Sequence, residues 1–375
     1  MLKMQIMNSL PEPHLEPANR PPRLDGLDVA RGIAFIGMVL VNFGVVMAFG
    51  NRNPTWVRYM LDCCTGRAAA LFVLLAGAGL SLMVLQAEQR NPEHGQRRAR
   101  IVYFRRAIAL LVGGYAFYPF WEGDILHYYG FYLAFGALIA PLRSRWLLLI
   151  AAAAVAGFIA INLWWIPWRL ADLFRPDFWS WSGQAKNLFF NGWHPLLPWF
   201  AFLAIGMTIG RLPLHLRSVQ LLLACSGAAL AVAANAGSGL AIEALSDSDM
   251  PRYESARFIE MLGTSCVPPG PMYVAEATGT ALSIIGIAML ITSAPRFLWL
   301  PVAQVGRLAL TLYVGHVLIG LTAWEAMGGK EERADLHEVF RWWISTVVIA
   351  LLFAGIWLRF CKRGPLEFVI RKVAS

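Results

Sequence analysis

A helix that crosses the hydrocarbon core of a bilayer needs about 20 mostly apolar residues. Ten such stretches follow one another along this chain: Leu27–Phe49, Ala68–Gln86, Ile101–Phe120, Ile125–Leu142, Trp146–Ile166, Leu188–Ile209, Val219–Ala236, Met272–Ser293, Val302–Trp324 and Val339–Phe360. Pro195 and Pro198 interrupt the sixth. None of the intervals between them is long enough to bury a core of its own. The pattern therefore predicts one all-α domain, a polytopic transmembrane helical bundle of about ten spans over residues 27–360. Before it, residues 1–26 carry Pro11, Pro13, Pro17, Pro21 and Pro22 with no apolar run, which reads as a disordered cytoplasmic tail and not as a signal peptide. After it, residues 361–375 read as a short amphipathic helix on the inner leaflet, with Arg371 and Lys372 towards lipid phosphates.

Composition agrees with that pattern. Hydrophobic residues make up 58% of the chain and charged residues 15%, with 15 Trp and a mean hydropathy of +0.54; a soluble domain carries roughly 25% charged residues. The net charge of +9 does not indicate nucleic acid, because the cations sit in short loops beside helix ends. Alternate loops differ sharply. One set holds Arg90, Arg97, Arg98, Arg100, Arg105 and Arg106, then Arg143, Arg145, Arg211, Arg217 and Arg296, and ends with Arg359, Lys362, Arg363, Arg371 and Lys372, with Arg20 and Arg23 ahead of it. The positive-inside rule makes that side cytoplasmic and puts both termini there. The opposite loops are sparser, and Pro167–Lys186 carries Trp168, Trp179 and Trp181, as suits the headgroup level. Cys63 or Cys64 could meet Cys266 across that outer side, but vicinal cysteines more often reflect chance and no disulfide is expected.

Ionisable groups inside spans cost about 2.5 kcal/mol or more each, so they tend to face the bundle interior and to act there. Topology sorts them into two layers. The outer layer holds Glu122, Asp124 and His127 in WEGDILHYYG, His194 in GWHPLLPWF, Glu276 in the eighth span and His316 in the apolar middle of the ninth. Asp124 and His127 are three apart and share a helix face, an arrangement that fixes a histidine tautomer and raises its basicity. For each residue a plain reading stands alongside: a hydrogen-bonded packing histidine, or Asp124 as a helix cap. The inner layer holds Asp25, Asp28 and Arg31 in RLDGLDVARG and Arg307 in VGRLAL. Asp28 and Arg31 can pair, and cations at that depth suit a nucleotide phosphate as well as an interfacial ion pair. Gly77 and Gly79 in LLAGAGLSLM suit close helix packing and not a dinucleotide turn. The histidines do not fall at metal-ligand spacing, so no metal is expected.

These motifs, RLDGLDVARGIAFIGMVLVNF, RAAALFVLLAGAG, GDILHYYG, HPLLPWFAFLAIGMTIGR, GRLALTLYVGH and RFCKRGPLEFVIR, run in order through nearly the whole chain. It resembles the YeiB-like group of bacterial membrane proteins, which is similar to the heparan-α-glucosaminide N-acetyltransferase family of transmembrane acyltransferases. That resemblance implies an inner-membrane protein taking an acyl group, acetyl above all, from cytoplasmic acyl-CoA to an acceptor hydroxyl or amine on the outer side. The LDxxRG motif falls on Leu27, Asp28, Arg31 and Gly32. The heparan enzyme's catalytic histidine follows the NF/NY element, whereas this chain has no His between Phe43 and Arg67; the base role then passes to His127 or another outer histidine.

The expected enzyme is thus a membrane acyltransferase. His127, oriented by Asp124, acts as base or nucleophile; His316, Glu276 and His194 assist; Asp28, Arg31 and Arg307 meet the CoA phosphates. A carbohydrate, lipid or small molecule is the acceptor. Two other classes compete with this reading. One is a proton-coupled transporter or flippase using the outer histidines and acids as a relay, although the sequence shows no internal repeat of the transporter kind. The other is a non-catalytic assembly or signalling protein.

Overall fold

A computed structural model describes residues 24–48, 53–165, 168–170, 173, 177–247, 251–329 and 334–374. Those residues are 81% helical and contain no strand. The helices are α1 (Asp25–Ala48), α2 (Trp56–Cys64), α3 (Arg67–Arg90), α4 (Gly95–Phe117), α5 (Leu126–Ile139), α6 (Ser144–Trp164), α7 (Trp181–Lys186) and α8 (Leu196–Ile209). They continue as α9 (Arg217–Ser246), α10 (Arg252–Leu262), α11 (Pro271–Ile291), α12 (Arg296–Arg307), α13 (Ala309–Gly315), α14 (Thr322–Ala326), α15 (Leu336–Phe360) and α16 (Pro365–Ala374). One wide-turn segment of π-helix joins α7 to α8 at Asn187–Asn191, and another joins α13 to α14 at His316–Leu321.

Among the described residues seven units are long and apolar enough to cross a membrane, or eight if the bent pair Trp181–Asn191 and Leu196–Ile209, at 52° to each other, counts as one span. The other two expected spans fall on α4, whose first half carries Arg97, Arg98, Arg100, Arg105 and Arg106, and on the 14-residue α5. Most of the expected tail 1–26 lies outside the described residues; from Asp25 onward the chain is already helical, with Asp25 and Asp28 in a first turn whose exposed N–H groups favour acids. The helix expected to end at Ala236 runs on to Ser246. Of the three tryptophans expected at headgroup level, Trp179 and Trp181 are exposed, whereas Trp168 is buried in a small cluster with Phe158, Phe190 and Met261.

α1 is the axis of the bundle and packs against α3, α11, α12 and α15. Its buried apolar positions, Val29, Phe35, Val39, Leu40 and Phe43 among them, cover most of its circumference, as expected of a helix enclosed by others. The approach to α12 is backbone to backbone. A methyl on Gly32 would collide with the Val302 carbonyl, and one on Gly306 with the Asp28 carbonyl, so this pair of glycines lets Asp28 and Arg307 come within reach. Gly77 serves the same purpose where α3 meets α8 at Leu203.

The ninth span departs from its expected bounds. It breaks at Leu308, and the membrane-length unit is Ala309–Ala326. A helix leaves its first N–H groups without internal partners. Here Glu367 of α16 takes two of them: its Oε1 accepts from Leu310 N at 2.8 Å and Thr311 N at 3.1 Å, while Oε2 accepts from Thr311 Oγ1 at 2.5 Å. A carboxylate at that end is also favoured by the helix dipole, by about 0.3–2 kcal/mol. The break leaves Arg307 as the last residue of the separate helix α12 and places His316 only ~10 Å beyond the start of α13.

Candidate functional site

Two cavities follow one another along α1. The first, of about 610 Å³, takes Arg31 from the first turns of α1, Gly79 and Tyr103 from α3 and α4, and Arg307 from α12. Its cations are Arg31, Arg106, Arg307, Lys362, Arg363 and Arg371, against a single carboxylate, Glu367, whose oxygens are already engaged by the start of α13. The second, of about 350 Å³, begins further along α1 at Met38 and reaches Asn42, Val45 and Ala48. Trp121, Trp193, Trp199, His194 and Cys266 line it, with Arg58 as its one charged side chain. Met38, Ile125 and Tyr313 border both, so these three form the wall between them. Arg31 and Ala48 lie 17 residues apart on one helix, so the pair of cavities extends over about 25 Å at 1.5 Å per residue. Volumes of this size suit small-molecule and cofactor ligands.

The inner ionisable residues form a connected set. Asp28 accepts from Arg31 at 2.8 Å and lies 3.5 Å from Arg307 Nε, while Arg307 also reaches Asp25 at 3.1 Å. Asp28 is buried and both arginines are partly exposed to the first cavity. The pairing expected from the 28/31 spacing is present, and Asp28 in addition joins α1 to α12.

At the wall, Asp124 and His127 are both fully buried. Asp124 Oδ2 accepts from the His127 backbone N–H and lies 3.1 Å from its ring Nδ1, so one oxygen both starts α5 and orients the imidazole. The capping reading and the orienting reading therefore hold together. Tyr313 Oη donates to the other oxygen of Asp124 at 3.4 Å and accepts from Ile125 N. The ring of His127 is enclosed by Tyr115, Tyr118, Tyr128 and Phe178 and borders neither cavity.

His316 lies behind Asn42. The Asn42 amide and His316 Nε2 are 2.9 Å apart, and with the amide donating, the ring proton resides on Nδ1. His194 is the predicted catalytic residue that lines a cavity directly. It packs edge-on to Trp199 and next to Tyr128, the ring that separates it from His127. Glu276 is elsewhere: it is paired with Arg67 at 2.8 Å and accepts from Thr280, clamping α11 to the start of α3. Among the described residues no group of His, Cys, Asp and Glu is placed to hold a metal ion.

Sequence reasoning did not single out Asn42 or Tyr313. Asn42 is an amide in an apolar span, which is itself an unusual residue in lipid. Tyr313 precedes His316 by three and shares its helix face. Cys64 and Cys266 both line the second cavity, and all five cysteines are free.

A helical bundle of membrane-length spans, with a cationic cavity beside an aromatic one, defines a polytopic membrane protein. The chain belongs to the family described as heparan-alpha-glucosaminide N-acetyltransferase, catalytic, whose model matches residues 23–239, and so to a membrane acetyltransferase-like family. A second family, described as a protein of unknown function (DUF418), matches residues 215–375. The first match holds Asp28, Asn42, Asp124, His127 and His194; the second holds Arg307, Tyr313, His316 and the C-terminal cations. Both cavities therefore draw on both segments. The chain is similar to an uncharacterized 39.9 kDa protein in the amylase 3' region of Bacillus acidopullulyticus, at 24% identity over 95% of each chain. It is also similar to the uncharacterized protein YeiB of Escherichia coli K12, at 25% identity over 92% of this chain and 95% of that one. These relatives place it in the YeiB-like group related to the acetyltransferase family.

Proposed function

We propose that this protein is a bacterial inner-membrane acyltransferase that receives acyl-CoA in the first cavity and an acceptor hydroxyl or amine in the second. The observation that carries the reading is the shared wall of Met38, Ile125 and Tyr313, where a strongly cationic cavity and a tryptophan-rich one meet within one bundle. The cationic cavity opens among the arginine-rich loops, the cytoplasmic side by the positive-inside rule, where Arg31, Arg307 and Arg106 meet the donor's phosphates. Trp121, Trp193 and Trp199 offer flat faces to the acceptor, as a sugar ring or lipid headgroup requires.

At the wall the acceptor oxygen or nitrogen attacks the thioester carbonyl carbon, the C–S bond breaks, and CoA leaves as the thiol, its sulfur receiving the proton that His194 has taken from the acceptor. His194, bordering the acceptor's cavity, takes the acceptor's proton. The His127–Asp124 pair acts through Tyr313, whose hydroxyl it holds at the wall; that hydroxyl turns its single proton from Asp124 to the oxyanion as the oxyanion develops. Asn42, which lines the second cavity, holds His316 behind it. Glu276, paired with Arg67, holds α11 against α3.

The test is release of free CoA from acetyl-CoA by protein reconstituted in nanodiscs, with sugar, lipid and amine acceptors. Wild type should release thiol. His194→Ala should lose about 10²- to 10⁴-fold in kcat while still binding CoA, because donor and proton acceptor occupy different cavities. A folded wild type that neither binds nor consumes acyl-CoA overturns the proposal. The burial of His127 and Asp124 away from both cavities favours a second reading, a proton relay in a transporter. Proton-coupled substrate uptake without CoA consumption would select it.

A further inference from the structure

Three of the six cations in the first cavity, Lys362, Arg363 and Arg371, come from the segment after α15. Among the described residues none of the three is in an ion pair, whereas Arg31 and Arg307 are held by Asp28 and Asp25. The positive charge available to a ligand therefore lies mostly on this segment, and all three cations are exposed at the cavity mouth.

The segment is fixed in place. Glu367 binds the amides of Leu310 and Thr311, Leu366 N donates to Thr311 Oγ1 at 3.1 Å, and Trp357 Nε1 donates to the Arg363 carbonyl at 2.8 Å. Gly364 is needed at the crossing, since a methyl there would meet the Glu367 carboxylate and the Thr311 hydroxyl. α16 packs on α4 and α13, and its apolar Phe368, Val369 and Val373 are left exposed while Arg371 lines the cavity. An amphipathic helix read as a lipid anchor thus presents apolar side chains outward and a cation to an internal cavity.

We propose that Lys362, Arg363 and Arg371 form a phosphate subsite for the nucleotide end of the donor, held over the cavity by the Glu367 clamp. This rests on the first cavity being the donor's. Cations at a cavity mouth suit the multiply charged end of a CoA thioester, and leave the neutral pantetheine arm to run inward past Gly79 towards Met38 and Tyr313.

The test compares wild type with the K362A/R363A/R371A variant in phosphatidylcholine nanodiscs, which carry no net lipid charge. Affinities for CoA, 3′-dephospho-CoA and pantetheine are measured by calorimetry, and folding is checked by thermal unfolding. The variant should stay folded, bind CoA about 10- to 100-fold more weakly, and lose the wild type's preference for CoA over the two truncated ligands. Wild type binding CoA, with the variant binding it equally well, overturns the subsite and leaves the donor reading standing. If wild type binds no CoA, the donor reading falls and the subsite with it. Unchanged CoA affinity, with lost association of phosphatidylglycerol, assigns the cations to bilayer phosphates and likewise overturns the proposal.

Discussion

Tyr313 Oη lies 3.4 Å from one oxygen of Asp124, and the other oxygen of that carboxylate holds the His127 ring at 3.1 Å. A side chain on the wall between two cavities is thereby tied to a histidine that touches neither. The tie gives Tyr313 a polar hydrogen-bonding role at a position that borders both cavities.

Tyr313→Phe keeps the ring that divides the cavities and removes only the hydroxyl. If that hydroxyl assists transfer, kcat for acyl transfer should fall by about 10² with the fold intact. A kcat equal to wild type would sink the role given to the wall.

Asn42 partners His316 in the middle of the bundle, and both side chains are buried. Asn42→Leu retains most of the volume and leaves Nε2 without a partner, so stability should drop by about 1–3 kcal/mol. The midpoint of thermal unfolding in detergent reports it; an unchanged midpoint means the bond is absent in solution.

Glu276 and Arg67 are nearly enclosed, with side chains 8% and 14% exposed. Removing one partner strands the other charge, at a cost of about 3–5 kcal/mol, whereas an apolar pair of similar volume is often neutral. Glu276→Leu should therefore unfold the protein at markedly lower temperature, and Arg67→Leu added to it should restore much of the loss. A catalytic Glu276 would instead leave stability alone and abolish turnover.

Cys266, in the loop before α11, has its thiol pushed up to about 11, chiefly by desolvation, with Arg67 pulling the other way. A raised thiol pKa leaves little thiolate near neutrality, and reactivity returns only as pH climbs towards that value. At pH 7.5 a maleimide should label exposed Cys63 while Cys266 stays largely unmodified; labelling of Cys266 should increase at pH 10. Equal labelling of the two at pH 7.5 would contradict this.

Hydropathy located the helices because their apolar runs are long, and the three-residue spacings disclosed both the Asp28–Arg31 and Asp124–His127 pairs. Other features depend on partners distant in sequence. The break at Leu308 is invisible to hydropathy, since the group that caps the next helix is Glu367. Glu276 looked catalytic for the same reason: its partner, Arg67, lies on another helix. The C-terminal helix carries an amphipathic pattern that fits a lipid surface and a protein groove equally well, so sequence alone did not direct Arg371 to the cavity. Depth inferred from topology placed three histidines and three acids at one level, but only His194 among them borders either cavity, because lateral position depends on packing between helices.

The clamp at Glu367 also sets an order of events during synthesis. Leu310 leaves the ribosome 57 residues before the carboxylate that will bind its amide, an interval of about 3–11 s at typical elongation rates. Through that time α13 begins with unsatisfied donors, and the cationic cavity lacks the three side chains contributed by the C-terminal segment. The bundle can insert and pack before this, but the mouth of its first cavity is assembled last, so a nascent chain halted short of α16 would have its spans in place with that mouth unfinished.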